Sequence, residues 1–224
     1  MIKPSAIIFD IDDTLVDTTM SYRDSIIKTV ESYGLTCSAE DISDIKMKGN
    51  ANNDWQVSLD ILSQKGIDAT LEEVTEKFES IYQGTEQLAG LKQKEKLLVN
   101  IELLHELSQN FILGIVTGRP RKDAEEFLKI NNIKNLFGAV VTMDDGPLKP
   151  DGFPVEKAMT ILGVNDACMI GDTPDDIISA INAGAIPIGV IGPGDDPELA
   201  RQAFIASGAQ YILNSINDII EILD

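Results

Sequence analysis

The sequence predicts a doubly wound α/β fold with a parallel sheet and one inserted bundle of four helices. Short runs rich in Ile and Val alternate with longer helical patterns along most of the 224 residues. These runs are almost continuously apolar, which is typical of parallel strands covered on both faces. Residues 18–90 carry helical patterns only and interrupt the alternation. We therefore expect a core domain of residues 1–17 and 91–224 and a helical insert of residues 18–90.

Six apolar runs have the composition of buried strands. They cover residues 6–12, 111–117, 139–143, 167–171, 186–191 and 211–213. Helical patterns separate most of them and carry recognisable boundary signals, such as Pro120 at one start and Gly163 at one end. The helix that begins at 173–174 is expected to bury Ile177, Ile178 and Ile181. Residues 92–109 are expected to form the first helix of the core.

The insert shows four helical patterns in succession. Ser38 with Asp41, and Thr70 with Glu73, have the spacing of a capping box, and they open the second and fourth patterns. Asn53 opens the third, and a glycine follows the first, third and fourth. Four helices joined by short connections predict a small bundle with its own apolar interior.

Composition excludes several classes of protein. There are 37 acidic and 18 basic side chains, and a net charge of −19 argues against a general nucleic-acid binder. Cys37 and Cys168 lack the spacing of a disulfide framework or a cysteine metal site. No run of about 18 apolar residues appears, and acidic residues follow the start closely, unlike a secretory leader. We expect a soluble, cytoplasmic protein that contacts neither membrane nor nucleic acid.

Polar side chains follow four of the predicted strands. Ligands of open α/β sheets bind beyond the carboxyl ends of the strands, so these residues are expected to share one edge. Carboxylates crowded there would repel one another unless a cation or protons compensated them, and oxygen donors of this kind suit Mg²⁺. The residues are Asp10 and Asp12, Thr117, Gly118 and Arg119, Lys149, and Asp172 and Asp176.

These residue types favour chemistry on a phosphate. Two carboxylates in one site can divide the work, one as an ionised nucleophile and the other as a proton donor and acceptor. Thr117 and Gly118 offer a hydroxyl and a backbone N–H at a helix start, which is an anion-binding arrangement. Lys149 would supply the positive charge that phosphate oxygens need. The pattern predicts a site for a small phosphorylated molecule.

Four segments resemble the ordered motifs of the haloacid dehalogenase (HAD) superfamily. They are FDIDDTLVD at 9–17, IVTG at 115–118, Lys149-Pro150, and GDTPDD at 171–176. The position and helical character of residues 18–90 resemble the cap that this superfamily inserts after its first motif. The resemblance covers essentially the whole chain and implies a Rossmann-like core.

The resemblance also implies roles for the matching residues. Asp10 would attack phosphorus and form an aspartyl-phosphate, and Asp12 would protonate the leaving oxygen and then activate water. Thr117 and Lys149 would hold the phosphoryl group. The Mg²⁺ ligands it implies are Asp10, the carbonyl of Asp12, and Asp172, with Asp176 supporting the site.

Specificity is expected to depend on the insert. A polar stretch lies where a cap would face the site, and we interpret four of its residues as candidate substrate contacts, with Trp55 anchoring the stretch. Arg119 could contact the substrate or pair with Asp123 on its own helix, and the sequence leaves both open. The four candidates are Lys46, Lys48, Asn52 and Asn53.

The expected function is that of a Mg²⁺-dependent phosphatase acting on a small phosphorylated metabolite. Phosphoglycolate-like compounds, sugar phosphates and histidinol phosphate are candidate substrates; the last follows from segments similar to an uncharacterised hydrolase group, some of whose members occur with histidine-biosynthesis proteins. A phosphomutase would use the same residues. The alternative of another class is a non-catalytic module that senses Mg²⁺ or phosphate. The sequence leaves open a monomer or a homodimer.

Overall fold

Six parallel strands form the central sheet of the computed structural model, which describes residues 1–224. The strands are β1 (Ala6–Phe9), β2 (Val16–Asp17), β3 (Lys96–Leu97), β4 (Ile112–Val116), β5 (Phe137–Val141), β6 (Ala167–Gly171), β7 (Ile186–Val190) and β8 (Tyr211–Leu213). The central sheet has the order β5-β4-β1-β6-β7-β8, while β2 and β3 pair separately as an antiparallel ribbon. β1 therefore lies between β4 and β6, with Ile8 beside Gly114 and Met169.

Nine α-helices accompany the strands. They are α1 (Tyr22–Ser32), α2 (Ala39–Lys46), α3 (Asp54–Gln64), α4 (Leu71–Tyr82), α5 (Ile101–Asn110), α6 (Arg121–Ile130), α7 (Phe153–Leu162), α8 (Pro174–Asn182) and α9 (Pro197–Ser207). Short 3₁₀ turns cover Leu91–Lys94, Lys134–Leu136, Met143–Asp145 and Ile216–Glu221. None of these helices is both long enough and apolar enough to cross a bilayer.

Both faces of the central sheet are covered. Successive side chains of a strand alternate between faces, so Ile7 and Phe9 join one apolar cluster with residues of α5 and α6. Ile8 points to the other face and packs in a cluster with residues of α7 and α8. This double coverage explains why the strands read as unbroken apolar runs, and it confirms the predicted doubly wound fold.

Helices α1 to α4 lie between β2 and β3 in the chain and enclose an apolar cluster of their own, which includes Ile26, Ile61 and Phe78. The capping boxes at Ser38 and Thr70 both form, so these two helix starts are local properties of the sequence. An interior of this kind lets the four helices hold together largely by their own contacts.

The structure corrects the prediction of one helix over residues 92–109. A 3₁₀ turn ends at Lys94 and β3 follows, where Lys96 pairs with Asp17. The α-helix begins only at Ile101, where the side chain of Asn100 accepts a hydrogen bond from the Glu102 N–H. The ribbon of β2 and β3 was not predicted, because two residues per strand are too few to show an alternating pattern.

Other differences are shifts of boundaries. β1 ends at Phe9, so Asp10 to Asp13 leave the sheet, and β5 covers 137–141 because a 3₁₀ turn capped by Thr142 follows it. Ile181, which was expected to be buried, is 45% exposed in the last turn of α8, while Ile177 is fully buried.

Candidate active site

The strand order places two motif carboxylates, Asp10 and Asp172, and Thr117 at one edge of the sheet. Asp10 follows β1, Thr117 follows β4 and Asp172 follows β6, and β1 is the neighbour of both other strands. Asp10, Asp172 and Asp176 are all buried, and their carboxylate oxygens lie within 4.8 Å of one another. The structure thus brings together residues that are up to 166 positions apart in the chain.

Lys149 joins this group as a buried counter-charge. Its Nζ donates to Asp10 Oδ1 at 2.8 Å and to Asp176 Oδ1 at 2.5 Å. The other oxygen of Asp176 accepts the backbone N–H and the hydroxyl of Thr173, which fixes its orientation at the start of α8. Burial by itself would lower the pKa of Lys149, but the two carboxylates outweigh it and hold that pKa above its usual value, which favours the charged ammonium.

The carboxylates are crowded beyond what one lysine can balance. Burial, with contributions from Asp176 and Asp12, raises the pKa of Asp10 to about 7 although Lys149 opposes the shift. Burial and the charges of Asp13, Asp176 and Asp10 also raise the pKa of Asp172 far above the ordinary value. A hard cation would relieve this repulsion, and a set of carboxylate oxygens is the donor chemistry that Mg²⁺ prefers. The residues therefore fit the metal that the sequence predicts.

Asp12 is held by Arg119. The guanidinium donates from both Nε (2.9 Å) and Nη2 (2.6 Å) to the same oxygen, Oδ1 of Asp12. It also donates to Glu95 at 2.9 and 3.2 Å, and Glu95 accepts the hydroxyl of Tyr82 at 3.0 Å. The pair between Arg119 and Asp123 that the sequence left open does not form. The Asp123 carboxylate accepts a hydrogen bond from the Gln83 side chain instead. Arg119 thus orients the second motif carboxylate from a buried position.

The loop between α2 and α3 closes over the edge of the sheet. The carboxylate of Asp175 accepts the N–H groups of Asn50 and Ala51 at 2.7 and 2.9 Å, and the side-chain amide of Asn52 at 2.9 Å. A Cβ at Gly118 would lie 2.3 Å from the carbonyl oxygen of Asn52, so only glycine admits this approach. The insert is therefore in direct contact with the predicted phosphate subsite.

A second charged contact fastens the insert on the other side. Arg23 of α1 is buried and binds Asp13 at 2.5 Å and Asp195 at 2.8 Å. Ser43 of α2 donates to the same oxygen of Asp195 at 2.9 Å. The carboxylate of Asp13 is thus part of the interface between insert and core, and Arg23 and Lys46 lower its pKa despite burial.

The tentative substrate residues of the insert occupy different environments. Lys46 is buried and lies 3.2 Å from Asp54, and Asn52 reaches the cavity between insert and core. Asn53 is the N-cap of α3, where its side chain accepts two backbone N–H groups. Lys48 is exposed and lines no cavity beside the motif residues. Trp55 donates its indole N–H to Glu79, consistent with the anchoring role predicted for it.

Two small cavities remain between the insert and the motif residues. The first holds about 30 Å³ beside Asp10 and Asp172, and the second holds about 20 Å³ beside Asp12 and Arg119. Each has room for about one water molecule. A larger cavity of about 700 Å³ lies by the chain termini, and no motif residue lines it. A further cavity of about 230 Å³ is lined by Arg119 and Tyr82, so the tight space is confined to the region beside Asp10 and Asp12.

Sequence reasoning missed several residues of this region. Glu95, Asp54 and Arg23 belong to no motif, and a charged residue in a loop or on a helix gives no signal of its partner. Asp175 lies inside the GDTPDD motif, but sequence reasoning assigned it no definite role beside Asp176. One signal for Asp175 was available. Residues 172–176 contain three acidic side chains, more than are needed to stabilise the start of a helix.

Comparison with known proteins agrees with the resemblance found in the sequence. The family model described as haloacid dehalogenase-like hydrolase matches residues 7–190. An imidazoleglycerol-phosphate dehydratase of Phytophthora nicotianae is 41% identical over 196 residues, which are 84% of this chain and 43% of that protein. The chain therefore spans less than half the length of that relative.

Two further matches cover nearly full lengths. The pyrophosphatase PpaX of Halalkalibacterium halodurans is 26% identical over 98% of this chain and 96% of its own. A Haemophilus somnus structure described as a predicted phosphoglycolate phosphatase superposes with a TM-score of 0.76 at 23% identity, covering 99% of each chain. The fold, including the helical insert, is thus shared over the whole chain.

Proposed function

Because this chain belongs to the haloacid dehalogenase-like hydrolases, we propose that it is a Mg²⁺-dependent phosphatase that hydrolyses a small phosphorylated metabolite. The observation that carries this proposal is the buried group of Asp10, Asp172 and Asp176 with Lys149 bound between two of them. It combines a nucleophile, a fixed cation and oxygen donors for a metal at one point. A non-catalytic sensor would have no need of the complete set.

We further propose that residues 18–90 act as a cap that moves against a core of 1–17 and 91–224. The apolar interior of α1 to α4 supports this division, as does the small space left over the motif residues. Closure would exclude water and bring Asn52 over Gly118.

In the first step, a carboxylate oxygen of Asp10 attacks phosphorus and the bond from phosphorus to the leaving oxygen breaks. Asp12 donates its proton to that oxygen, so the leaving group departs as an alcohol. Lys149 and the Thr117 hydroxyl stabilise the charge on the phosphoryl oxygens. The Thr117 oxygen accepts the Arg119 N–H at 3.2 Å, which leaves its proton free to donate.

In the second step, a water molecule attacks the aspartyl-phosphate. Asp12 takes a proton from that water, the bond between phosphorus and Asp10 breaks, and inorganic phosphate leaves. Arg119 binds only Oδ1 of Asp12, so Oδ2 is free to carry the proton in both steps.

The metal would be held by Asp10, the carbonyl of Asp12 and Asp172, with Asp176 beside them. When bound, Mg²⁺ would neutralise charge on the phosphoryl oxygens and on the carboxylates that crowd the site.

The relatives support phosphate chemistry and differ in substrate. Names among them refer to pyrophosphate and to phosphoglycolate. Histidinol phosphate stays a candidate from the sequence resemblance described above. The 41% identical relative, an imidazoleglycerol-phosphate dehydratase by name, also has a phosphorylated substrate in its name. We also propose a cytoplasmic location, which the free thiols of Cys37 and Cys168 support.

The test is release of inorganic phosphate from a panel of phosphomonoesters and p-nitrophenyl phosphate, with Mg²⁺ and with a chelator. Asp10→Asn is the matched inactive protein, because it keeps the shape and removes the nucleophilic anion. Asp44→Asn, at an exposed position of α2, is the control for a lost surface charge. Phosphate release that survives Asp10→Asn, or that is equal in chelator, would overturn the proposal.

A further inference from the structure

Apart from the motif carboxylates Asp10, Asp12 and Asp172, most residues that line the two small cavities belong to the insert. Asp54 and Asn52 line both cavities, Lys46 lines the one beside Asp10, and Tyr22 lines the one beside Asp12. In a bound substrate whose phosphorus lies beside Asp10, before the attack, the leaving group would meet these side chains.

The side chain of Tyr22, which lines the cavity beside Asp12, carries an unsatisfied hydroxyl. The side chain is 5% exposed, and its oxygen is fully buried without a hydrogen-bond partner. Its ring is fixed between Tyr82, with centroids 4.2 Å apart, and the guanidinium of Arg119, 4.8 Å from the ring centroid. Leaving a buried hydroxyl unpaired costs free energy that a polar ligand group would recover. This hydroxyl is therefore a candidate contact for a ligand.

Asp54 presents a carboxylate that is only partly compensated. Its one close charged partner is Lys46, at 3.2 Å from Oδ1. Burial raises the pKa of Asp54 above its ordinary value, and Lys46 opposes that rise. A donor group on the leaving group, such as a hydroxyl or an ammonium, would satisfy this carboxylate.

Every buried cation near the cavity already has acidic partners. Lys46 contacts Asp54, Lys149 contacts Asp10 and Asp176, and Arg119 contacts Asp12 and Glu95. These contacts are all 3.2 Å or shorter. An anionic leaving group would have to break one of these pairs and would also meet the charge of Asp54. Because little water remains in the site, that repulsion would be weakly screened.

We propose that the leaving group of the natural substrate is neutral or cationic and carries hydroxyl or ammonium donors, as in a phosphorylated polyol or amino alcohol. Tyr22, Asn52 and Asp54 recognise it. This inference rests on the proposed phosphatase function and narrows its substrate class. It separates this chain from relatives whose names refer to pyrophosphate and phosphoglycolate, because those substrates have anionic leaving groups.

The experiment compares three monoesters of equal length. Phosphoethanolamine, 2-hydroxyethyl phosphate and 2-phosphoglycolate carry an ammonium, a hydroxyl and a carboxylate at the same position, and p-nitrophenyl phosphate serves as a generic substrate. With saturating Mg²⁺, we expect kcat/KM for phosphoglycolate to be at least about tenfold below that of the better of the other two, the factor that about 1.4 kcal/mol of charge repulsion produces.

Two variants assign the effect to residues. Asp54→Asn should reduce the discrimination against phosphoglycolate by about tenfold, whereas Asp60→Asn on the same helix, away from both cavities, should leave it unchanged. Tyr22→Phe retains the ring against Arg119 and should lower kcat/KM for 2-hydroxyethyl phosphate while sparing p-nitrophenyl phosphate. Circular dichroism of each variant is the check that it is folded.

The outcomes are distinguishable. If p-nitrophenyl phosphate is turned over but phosphoglycolate or pyrophosphate is the preferred substrate, the inference is wrong and the phosphatase function stands. Unchanged discrimination in folded Asp54→Asn, with unchanged activity in Tyr22→Phe, would also overturn it. If none of the esters is hydrolysed, the proposed function itself fails.

Discussion

Mg²⁺ should stabilise this protein strongly at pH 8 and weakly at pH 5. In the metal-free protein, burial and neighbouring carboxylates raise the pKa of Asp10 from 3.8 to about 7, and that of Asp172 rises in the same direction. At Asp10 the folded chain therefore binds more protons than the unfolded chain between about pH 4 and pH 7. The contribution of this carboxylate to the free energy of unfolding should fall as pH rises through that window, the reverse of the usual behaviour of a paired carboxylate.

The size of the effect follows from these values. A rise in pKa from 3.8 to about 7 corresponds to a cost of about 4 kcal/mol for ionising Asp10 in the folded state. A cation at the three carboxylates would offset much of this cost. At one hundred times its Kd, a ligand adds about 2.7 kcal/mol, and each kcal/mol moves the Tm of a chain this long by about 2–4 °C. We expect a rise of roughly 5–10 °C at pH 8.

Thermal unfolding with Mg²⁺ and with chelator, at pH 5 and pH 8, measures this. At pH 5 the ion must displace protons from Asp10 and Asp172, so the shift should be small. Asp172→Asn should remove most of the shift at pH 8, whereas Asp44→Asn should retain it. Asp145, whose pKa is lowered to about 2 mainly by hydrogen bonds from Thr142 and Lys157, contributes stability that is lost only below about pH 4, outside this window. An equal shift at both pH values, or none at pH 8, would refute the reasoning.

Three further changes test the site. With labelled p-nitrophenyl phosphate, whose leaving group needs no proton, Asp12→Asn should retain attack on phosphorus and slow hydrolysis of the intermediate by about 10²–10⁴-fold. Phosphoenzyme should then accumulate in a rapid-quench assay, and a burst of unchanged size with an unchanged steady rate would contradict this. Arg119→Lys removes the two hydrogen bonds that the guanidinium donates to Asp12. It should reduce kcat far more for an alkyl phosphate than for p-nitrophenyl phosphate, whose leaving group needs no proton. Equal losses on both substrates would point to a structural role. Asp175→Ala removes the acceptor of two backbone N–H groups and should accelerate amide hydrogen exchange at residues 50–51, an effect of about 1–3 kcal/mol per lost partner; unchanged exchange there would show that the loop closes without it.

Local signals in the sequence are sufficient for the sheet and for most helices. A strand covered on both faces must be apolar at every position, so the runs around β1, β4 and β6 are visible without any partner. Capping pairs such as Ser38 and Asp41 satisfy backbone groups within four residues, and they form as predicted. The positions of Asp10 and Asp172 follow from the same logic, because both come directly after such runs.

The partners of charged residues depend on the tertiary structure. Arg119 is two residues from Thr117 in the chain, yet it binds Asp12, 107 positions away, and Glu95. Asp175 meets the loop at Asn50 because α8 and the insert approach one another in space. An ion pair between distant segments leaves no periodic trace in either segment, since any acidic residue brought within reach could serve.

The sequence by itself therefore determined the sheet, the helical insert and the carboxylates at the strand ends, since each depends on contacts within a few residues or on burial of a whole strand. The tertiary structure decided which side chains close the site. It paired Arg119 with Asp12 and Glu95, placed Lys46 against Asp54, and left the buried Tyr22 hydroxyl without a partner beside the cavity. Those contacts depend on how the insert packs on the core, and that arrangement is set by surfaces whose residues are far apart in the chain.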